Sequence, residues 1–302
     1  MSAEAGPVAV VIVSHSSGAT LSECVARTLA NPGVGELRVV DNASSDGSVD
    51  ELATGHGAEP RFAILRNADN PGFAQACNQG AAATRAPWLL FLNPDCFLEH
   101  DTVTRLLAFA TLHPDAGVIG ADVRDAEGRA ESAARRRDPT LARALASGLG
   151  LDRYGARFPG LAGVAMAAPR DARSASRVDA VSGALMLMPR AVFERVGGFD
   201  PGYALHAEDL DLCRRVRRAG HEVLVAEQVR VTHLKGGSSA RAPLRVAWHK
   251  HRGLWRYYRK FDAEAQSWPA HVAMWLMLFG HFALVSPWLA LKQWRAAGPG
   301  RA

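Results

Sequence analysis

Short apolar runs alternate with polar turns through the first hundred residues. Val8–Val13 (VAVVIV) is β-branched and too short for a helix. It reads as a buried strand that empties into Ser14-His15-Ser16-Ser17-Gly18. Leu21, Val25 and Leu29 then fall on one helical face, and that pattern stops before Asn31-Pro32-Gly33. Leu37–Val40 is a second strand, halted by Asp41-Asn42-Ala43-Ser44-Ser45-Asp46-Gly47. A helix can begin at Val49–Ala53, and Phe62–Leu65 gives a third strand. Beyond Asn67–Gly72, the spacing predicts a helix over Phe73–Thr84. It leads to Trp88–Leu92, an apolar run between prolines that reads as a strand buried on both faces. That run ends abruptly in Asn93-Pro94-Asp95. Strands and helices alternating over short connections predict a parallel, doubly wound α/β sheet. The turns at Ser14, Asp41 and Asp95 then share one edge, the edge at which such sheets bind ligands.

Farther along, Thr102–Leu112 predicts a helix and Gly117–Gly120 a short strand. Residues 125–177 are rich in Arg, Ala and Gly with little period. They are expected to form a partly helical, partly mobile insertion, its arginines solvated or facing a phosphorylated or lipid-linked partner. Order returns at Val178–Met188, where Ser182-Gly183-Ala184 would let a ligand approach the backbone. A short helix follows over Arg190–Val196, between Pro189 and Gly197-Gly198. In the segment Leu205–Arg215, Leu212 and Val216 share a helical face. Glu208 and Asp209 therefore sit in the first turn, where the helix dipole favours an ionised carboxylate; capping alone accounts for only one of them. Val223–Val225 and Val229–Thr232 predict two more strands, the second running into His233.

The chain ends differently. His249–Lys260 is basic and aromatic, and Ala270–Leu291 contains no Asp, Glu, Lys or Arg. A helix of that length spans about 33 Å, close to a hydrocarbon core. Its apolar residues surround the whole helix, which favours lipid contact. Arg256, Arg259, Lys260, Lys292 and Arg295 flank it and suit anionic headgroups. Pro287, Gly280, His271 and His281 interrupt it, and a buried or dimer-forming helix is the alternative. The expected division is a catalytic domain over 1–240, with halves 8–100 and 101–240, and a helical tail over 241–302.

Composition adds little discrimination. With 22% charged and 48% hydrophobic residues, the chain of 302 is an ordinary globular one. Its formal charge of +5 comes mainly from arginines after position 124, among them Arg135-Arg136-Arg137. That balance suits nucleic acid, anionic lipid or a phosphorylated small molecule alike. Cys24, Cys77, Cys96 and Cys213 have neither zinc-ligand nor redox spacing, so buried thiols in a reducing compartment are expected. Met1–Pro7 is polar and Val8–Val13 too short for a targeting core, so no signal peptide is expected.

Ser14, Asp41, Asp95, Glu208-Asp209 and His233 thus fall at predicted strand ends or a helix start. Transfer of a sugar from a nucleoside diphosphate needs partners for base and ribose. It also needs a hard cation at the departing diphosphate and a base for the acceptor hydroxyl. Asp95 can hold such a cation with diphosphate oxygens and water, and His233 as second ligand would favour manganese over magnesium. A lone histidine is more often bonded to backbone.

VVIVSHSSG (Val10–Gly18), VVDNASSDGS (Val39–Ser48), NADNPGFAQACNQG (Asn67–Gly80) and LLFLNPDC (Leu89–Cys96) resemble the nucleotide-binding half of inverting family 2 glycosyltransferases. VSGALMLMPRAVFERVGGFD (Val181–Asp200), AEDLDLCRR (Ala207–Arg215) and VTHLKGGSS (Val231–Ser239) resemble the acceptor half. Order and spacing are most similar to the bacterial rhamnosyltransferase-like branch, over residues 8–240. The resemblance implies a GT-A-type, Rossmann-like mixed sheet. It implies that Ser14, Asp41 and Asn42 contact base and ribose and that Asn70 and Asn78 line the nucleotide pocket. Asp95 matches the last acid of the family's Asp-x-Asp metal motif, Asp209 the catalytic base, and His233 a histidine that joins the metal, Mn2+ or Mg2+. Glu208 would bond the acceptor. Asn93 departs from the two-acid motif, leaving one carboxylate to carry the metal. The implied activity moves a sugar, with rhamnose from dTDP-rhamnose the first candidate, onto a cell-envelope polysaccharide or lipid-linked oligosaccharide at the cytoplasmic membrane face, without nucleic acid.

Rival classes fit less well. A dinucleotide dehydrogenase needs a Gly-rich first turn whose spacing Ser14–Gly18 lacks. A sugar-nucleotide nucleotidyltransferase wants a glycine-rich, basic loop after the first strand, which is absent. A non-catalytic sugar- or lipid-binding scaffold of the same fold would not need Asp95, Asp209 and His233 together. The oligomeric state is left open.

Overall fold

The computed structural model describes residues 7–148, 150–155, 157–169, 171, 175–234, 242–262 and 267–297. The apolar runs of the first hundred residues become parallel strands β1 (Val8–Ser14), β2 (Val34–Asn42), β3 (Phe62–Asn67) and β4 (Trp88–Leu92). Helices α1 (Ala19–Leu29), α2 (Ser48–His56) and α3 (Phe73–Ala82) connect them. After β5 (Cys96–Phe97) come α4 (Thr102–Leu112), β6 (Ala116–Arg124), α5 (Leu141–Gly148) and β7 (Ala175–Arg177). The chain continues through β8 (Leu185–Pro189), α6 (Arg190–Arg195), α7 (Glu208–Arg218), β9 (Glu222–His233) and α8 (Pro243–Phe261). It ends in α9 (Trp268–Trp275), a π-helical turn (Leu276–Gly280) and α10 (His281–Ala297).

Strand order is β3-β2-β1-β4-β8-β6-β9-β5, with β7 pairing on β9. β8 runs antiparallel to β4, so the sheet is mixed. The chain winds one way from β1 to β3, then returns to lay β4 on the other side of β1. That reversal opens a crevice beyond the carboxyl ends of β1 and β4, the place where α/β sheets hold ligands. Successive residues of β1 serve opposite faces, as a doubly covered strand requires. Val8, Val10 and Ile12 join one core with residues of α1, α2 and α4. Ala9, Val11 and Val13 join a second with residues of α3, α6 and α7.

Several expectations change. The two strands expected at Val223–Val225 and Val229–Thr232 are one strand, β9, whose register against β6 slips between Ala121 and Asp122. The extra residues Glu227, Gln228 and Val229 bulge there, because buried Glu227 turns to an arginine instead of ending the strand. The arginine-rich stretch after residue 125 is not an outward-facing insertion at its start: Arg135 is 2% exposed. Nor is residue 240 a clean boundary, since fully buried Tyr257 of α8 belongs to the second core. On its other side α8 packs against the tail, with Trp248 on Phe279 and Phe282 and Tyr258 on His271. The apolar helical stretch Trp268–Arg295 is 28 residues long and only 11% of its most apolar window is buried.

Gly80 lets α3 lie close to the sheet, since a Cβ there would stand 2.3 Å from Val11 Cγ1 and 3.1 Å from Val40 Cγ2. Gly80→Ala should therefore lower stability by about 1–3 kcal/mol, read from urea unfolding. An unchanged midpoint would contradict this packing.

Candidate active site

Backbone pairing, rather than chain proximity, brings the metal-motif residues together. β5 and β9 pair antiparallel with Cys96 opposite His233, and the Leu234 N–H donates to the Asp95 carbonyl at 2.9 Å. His233 Nε2 consequently lies 3.0 Å from Asp95 Oδ1, while its Nδ1 lies 3.0 Å from Glu131 Oε1. The Asn93 amide stands 3.4 Å from the same Nε2. The Cys24 thiol braces this turn by donating to the carbonyls of Asn93 and Cys96. Burial alone would depress the His233 pKa, but hydrogen bonds to Asp95 and Glu131 outweigh it and lift it to about 9.

Asp209 is fixed from the other side of the crevice. The Asn93 N–H donates to the Ala184 carbonyl, and the neighbouring Gly183 N–H donates to Asp209 Oδ2 at 3.0 Å. Arg136 Nη2 donates to that oxygen at 2.5 Å, and the Leu210 N–H donates to Oδ1 at 2.8 Å. Burial pushes the Asp209 pKa up, but the Arg136 charge and these bonds prevail and hold it below the ordinary value. Its neighbour behaves oppositely: burial, then the Asp209 charge, raises Glu208 to about 8. Glu208 Oε2 is buried with no hydrogen-bond partner. Two adjacent acids in the first turn of α7 are thus one ionised and one neutral at pH 7. Neither caps the helix through its side chain, because the N-cap is Ala207 in a left-handed conformation.

The segment 131–138 carries the residues that the sequence left unassigned. Glu131 holds His233, and Arg136 holds Asp209. Arg135 lies buried between Asp122 and Glu227, and Asp138 accepts from Arg217 and the Tyr257 hydroxyl. Acids at Asp122 and Glu227 inside otherwise apolar strands were the available signal, since a buried carboxylate demands a cation.

At the nucleotide end, Ser14 pairs with Asp41 across β1 and β2, and both are buried. Ser14 bonds Ser17, and Asp41 accepts from the Ser44 N–H. Asn42 donates to Asn70 and to the Gly72 carbonyl while accepting from Asn67, so it shapes the 67–72 loop. His15, absent from the expected set, lies 2.7 Å from the Asn42 carbonyl through Nδ1. Asn78 differs from expectation: both ends of its amide are spent on the Phe199 backbone, at 2.8 and 2.9 Å. It clips α3 to the loop leading toward Glu208. Among the described residues, the non-glycine positions with positive φ are Ser16, Ala43, His206 and Ala207. All four lie in loops bordering this crevice, where such strain concentrates in binding sites.

These donors fit a hard divalent cation. Asp95 oxygen and His233 Nε2 already converge, and Glu131 on Nδ1 orients the ring as carboxylates do for metal-bound histidines. No group of three or more His, Cys, Asp or Glu gathers as a ready cage among the described residues, so a cation held here would need further ligands from substrate and water.

Residues 5–250 match the family described as "Glycosyltransferase like family 2". The chain belongs to that family. It is 29% identical over 270 residues to the N-acetylglucosaminyl-diphospho-decaprenol L-rhamnosyltransferase of Mycobacterium tuberculosis, covering 82% of this chain and 86% of that one. The rhamnosyltransferase WbbL of Escherichia coli is 30% identical over 134 residues, 44% of this chain and 47% of that one. Among solved structures, the chain resembles GalNAc-T7 with UDP, GalNAc and Mn2+ (TM-score 0.60, 18% identity), covering 83% of this chain and 47% of that one. It also resembles the mannosyltransferase PcManGT of Pyrobaculum calidifontis with GDP-Man and Mn2+ (TM-score 0.57, 16% identity, 100% of this chain and 79% of that one). The GT-A fold expected from the motifs is therefore present. Within this glycosyltransferase the 235–239 part of the last motif lies outside the described residues.

Glu208 gives the fold a pH signature. Between its ordinary pKa of 4.5 and about 8, the folded chain keeps a proton that the unfolded chain releases. Its contribution to stability therefore falls as pH rises through that window. Glu208→Gln should leave the melting temperature nearly unchanged below pH 4.5 and raise it above pH 8, by scanning calorimetry. No gain at alkaline pH would contradict a buried, neutral Glu208.

Proposed function

We propose that this family 2 glycosyltransferase moves a sugar, rhamnose, from a nucleoside diphosphate to a hydroxyl of a lipid-linked saccharide, inverting the anomeric centre. The reading rests above all on the hydrogen-bond inventory of Asp209. A carboxylate offers about four accepting positions. Arg136, Gly183 and Leu210 take three of them, so one is left for an incoming alcohol. Held ionised, Asp209 accepts the hydroxyl proton as the oxygen bonds to the anomeric carbon and the bond from that carbon to the diphosphate breaks. Attack comes from the face opposite the leaving group, which gives inversion without a covalent intermediate.

Asp95 and His233 would hold a divalent cation, Mn2+ or Mg2+, which when bound neutralises charge on the departing diphosphate. Ser14, Asp41 and Asn42 serve base and ribose. Asn42 and Asn70 shape the loop that closes that end, and Asn78 acts at one remove through Phe199. Neutral Glu208 donates a hydrogen bond to the acceptor. The L-rhamnosyltransferase name of the Mycobacterium tuberculosis relative supports rhamnose as the sugar and a diphosphate-linked lipid as the acceptor's carrier. The long, largely exposed apolar helix Trp268–Arg295 supports action at a membrane surface, and the buried free thiols of Cys24, Cys77, Cys96 and Cys213 suit its cytoplasmic side.

Asp209→Asn should reduce transfer by about 10²–10⁴-fold while leaving the donor dissociation constant nearly unchanged. Sugar transfer is measured by nucleoside diphosphate release and donor affinity by titration calorimetry. Equal loss of both would move Asp209 from the chemistry to donor binding or folding.

A further inference from the structure

Between the loop 201–205 and α8 lies a cleft of about 500 Å3, separate from the Asp95–His233 pair. One stripe of α8 faces it with Arg252, Arg256 and Arg259, spaced three or four residues apart as one helical face requires. Arg256 lies against Gly202, where a Cβ would meet its guanidinium, and stacks 5.3 Å from the Tyr203 ring centroid. At the rim, the Asp200 carboxylate is already matched by Arg256 at 3.0 Å and Lys260 at 2.7 Å. Among the described residues, Arg252 and Arg259 have no carboxylate within salt-bridge distance, and Arg259 sits 5.9 Å from the Trp255 ring. Uncompensated arginines lining a concavity select phosphate oxygens, which their planar forks bind in pairs.

The cleft is joined to both the chemistry and the tail. α8 seats on the segment preceding the acid pair: a Cβ on Gly253 would stand 2.6 Å from the His206 carbonyl, three residues from Asp209. Another stripe of α8, with Trp248, Trp255 and Tyr258, packs on Phe279 and His271 of the apolar tail. That tail leaves Trp275, Leu276 and Leu284 exposed. A ligand with an anionic head against the loop that leads into α7 and an apolar chain along the tail matches this layout.

We propose that the cleft between loop 201–205 and α8 binds the diphosphate of a prenyl-diphosphate-linked acceptor, through Arg252 and Arg259. The assignment rests on the transfer reading above, but its test needs no transfer. Geranyl diphosphate is titrated calorimetrically into the full chain with the donor site filled by saturating dTDP and Mn2+. It should bind the parent, and bind Arg252→Gln/Arg259→Gln at least about tenfold more weakly, with dTDP affinity unchanged. Both side chains are exposed, so an unchanged melting temperature is expected to accompany that loss. No binding to the parent, or equal binding to both proteins, overturns the proposal. Co-sedimentation with phosphatidylglycerol vesicles separates the two sources of phosphate. A double variant that loses the vesicles yet keeps geranyl diphosphate would assign the arginines to lipid headgroups and also overturn it. Binding as expected in a protein that transfers no sugar would leave the cleft assignment standing and sink the transfer reading instead.

Discussion

The site depends on one short strap, residues 131–138, that is charged yet turned inward. Its residues reach four separate elements: Glu131 to the end of β9, Arg135 to β6 and β9, Arg136 to the start of α7, and Asp138 to α7 and α8. Arg135 is nearly inaccessible, with Asp122 and Glu227 both bonded to it. Removing one partner of such a buried ion group costs about 3–5 kcal/mol, because the remaining charge has no water to turn to. The strap therefore has little freedom to shift, and the His233 ring and the Asp209 carboxylate inherit that rigidity. Preorganised charges of this kind need no rearrangement as charge develops during a reaction.

Rigid placement also explains how neighbouring acids acquire different charge states. Asp209 has a guanidinium and backbone N–H groups within reach, and it stays ionised. For Glu208, one residue earlier, burial and the like charge of Asp209 outweigh a backbone hydrogen bond and the Arg136 charge, and it keeps its proton. The left-handed backbone at His206 and Ala207 turns the start of α7 so that both acids enter the interior. Such strain is tolerated because Gly253 of α8 closes directly over it. The helix that braces this turn is the one that joins the catalytic domain to the apolar tail.

Much of this was legible because it is written locally. Trp88–Leu92, bounded by prolines, could hardly be anything but a strand, and its position fixed Asp95 at the sheet edge. Apolar periodicity likewise found β1, α4 and the acid pair at the head of α7. The strap was not legible, since three consecutive arginines look alike whether solvated or buried. Only the distant carboxylates Asp122 and Glu227 decide, through pairing that sequence order does not reveal. The same hidden partner made β9 read as two strands, with the polar Glu227-Gln228 mistaken for a break. Asn78 is a related case: a part-buried amide is as often a clip for backbone as a contact for ligand.

Glu131 and Arg136 of the strap place His233 and Asp209, and Asp95 joins them through His233, around the position proposed for one cation and one diphosphate. Anomalous diffraction from crystals grown with Mn2+ and dTDP tests it most directly. A single manganese peak bonded to Asp95 and His233 Nε2, with Glu131 still on Nδ1 and Arg136 still on Asp209, is the predicted result. Manganese bound elsewhere, or a His233 ring turned away from it, would contradict the account.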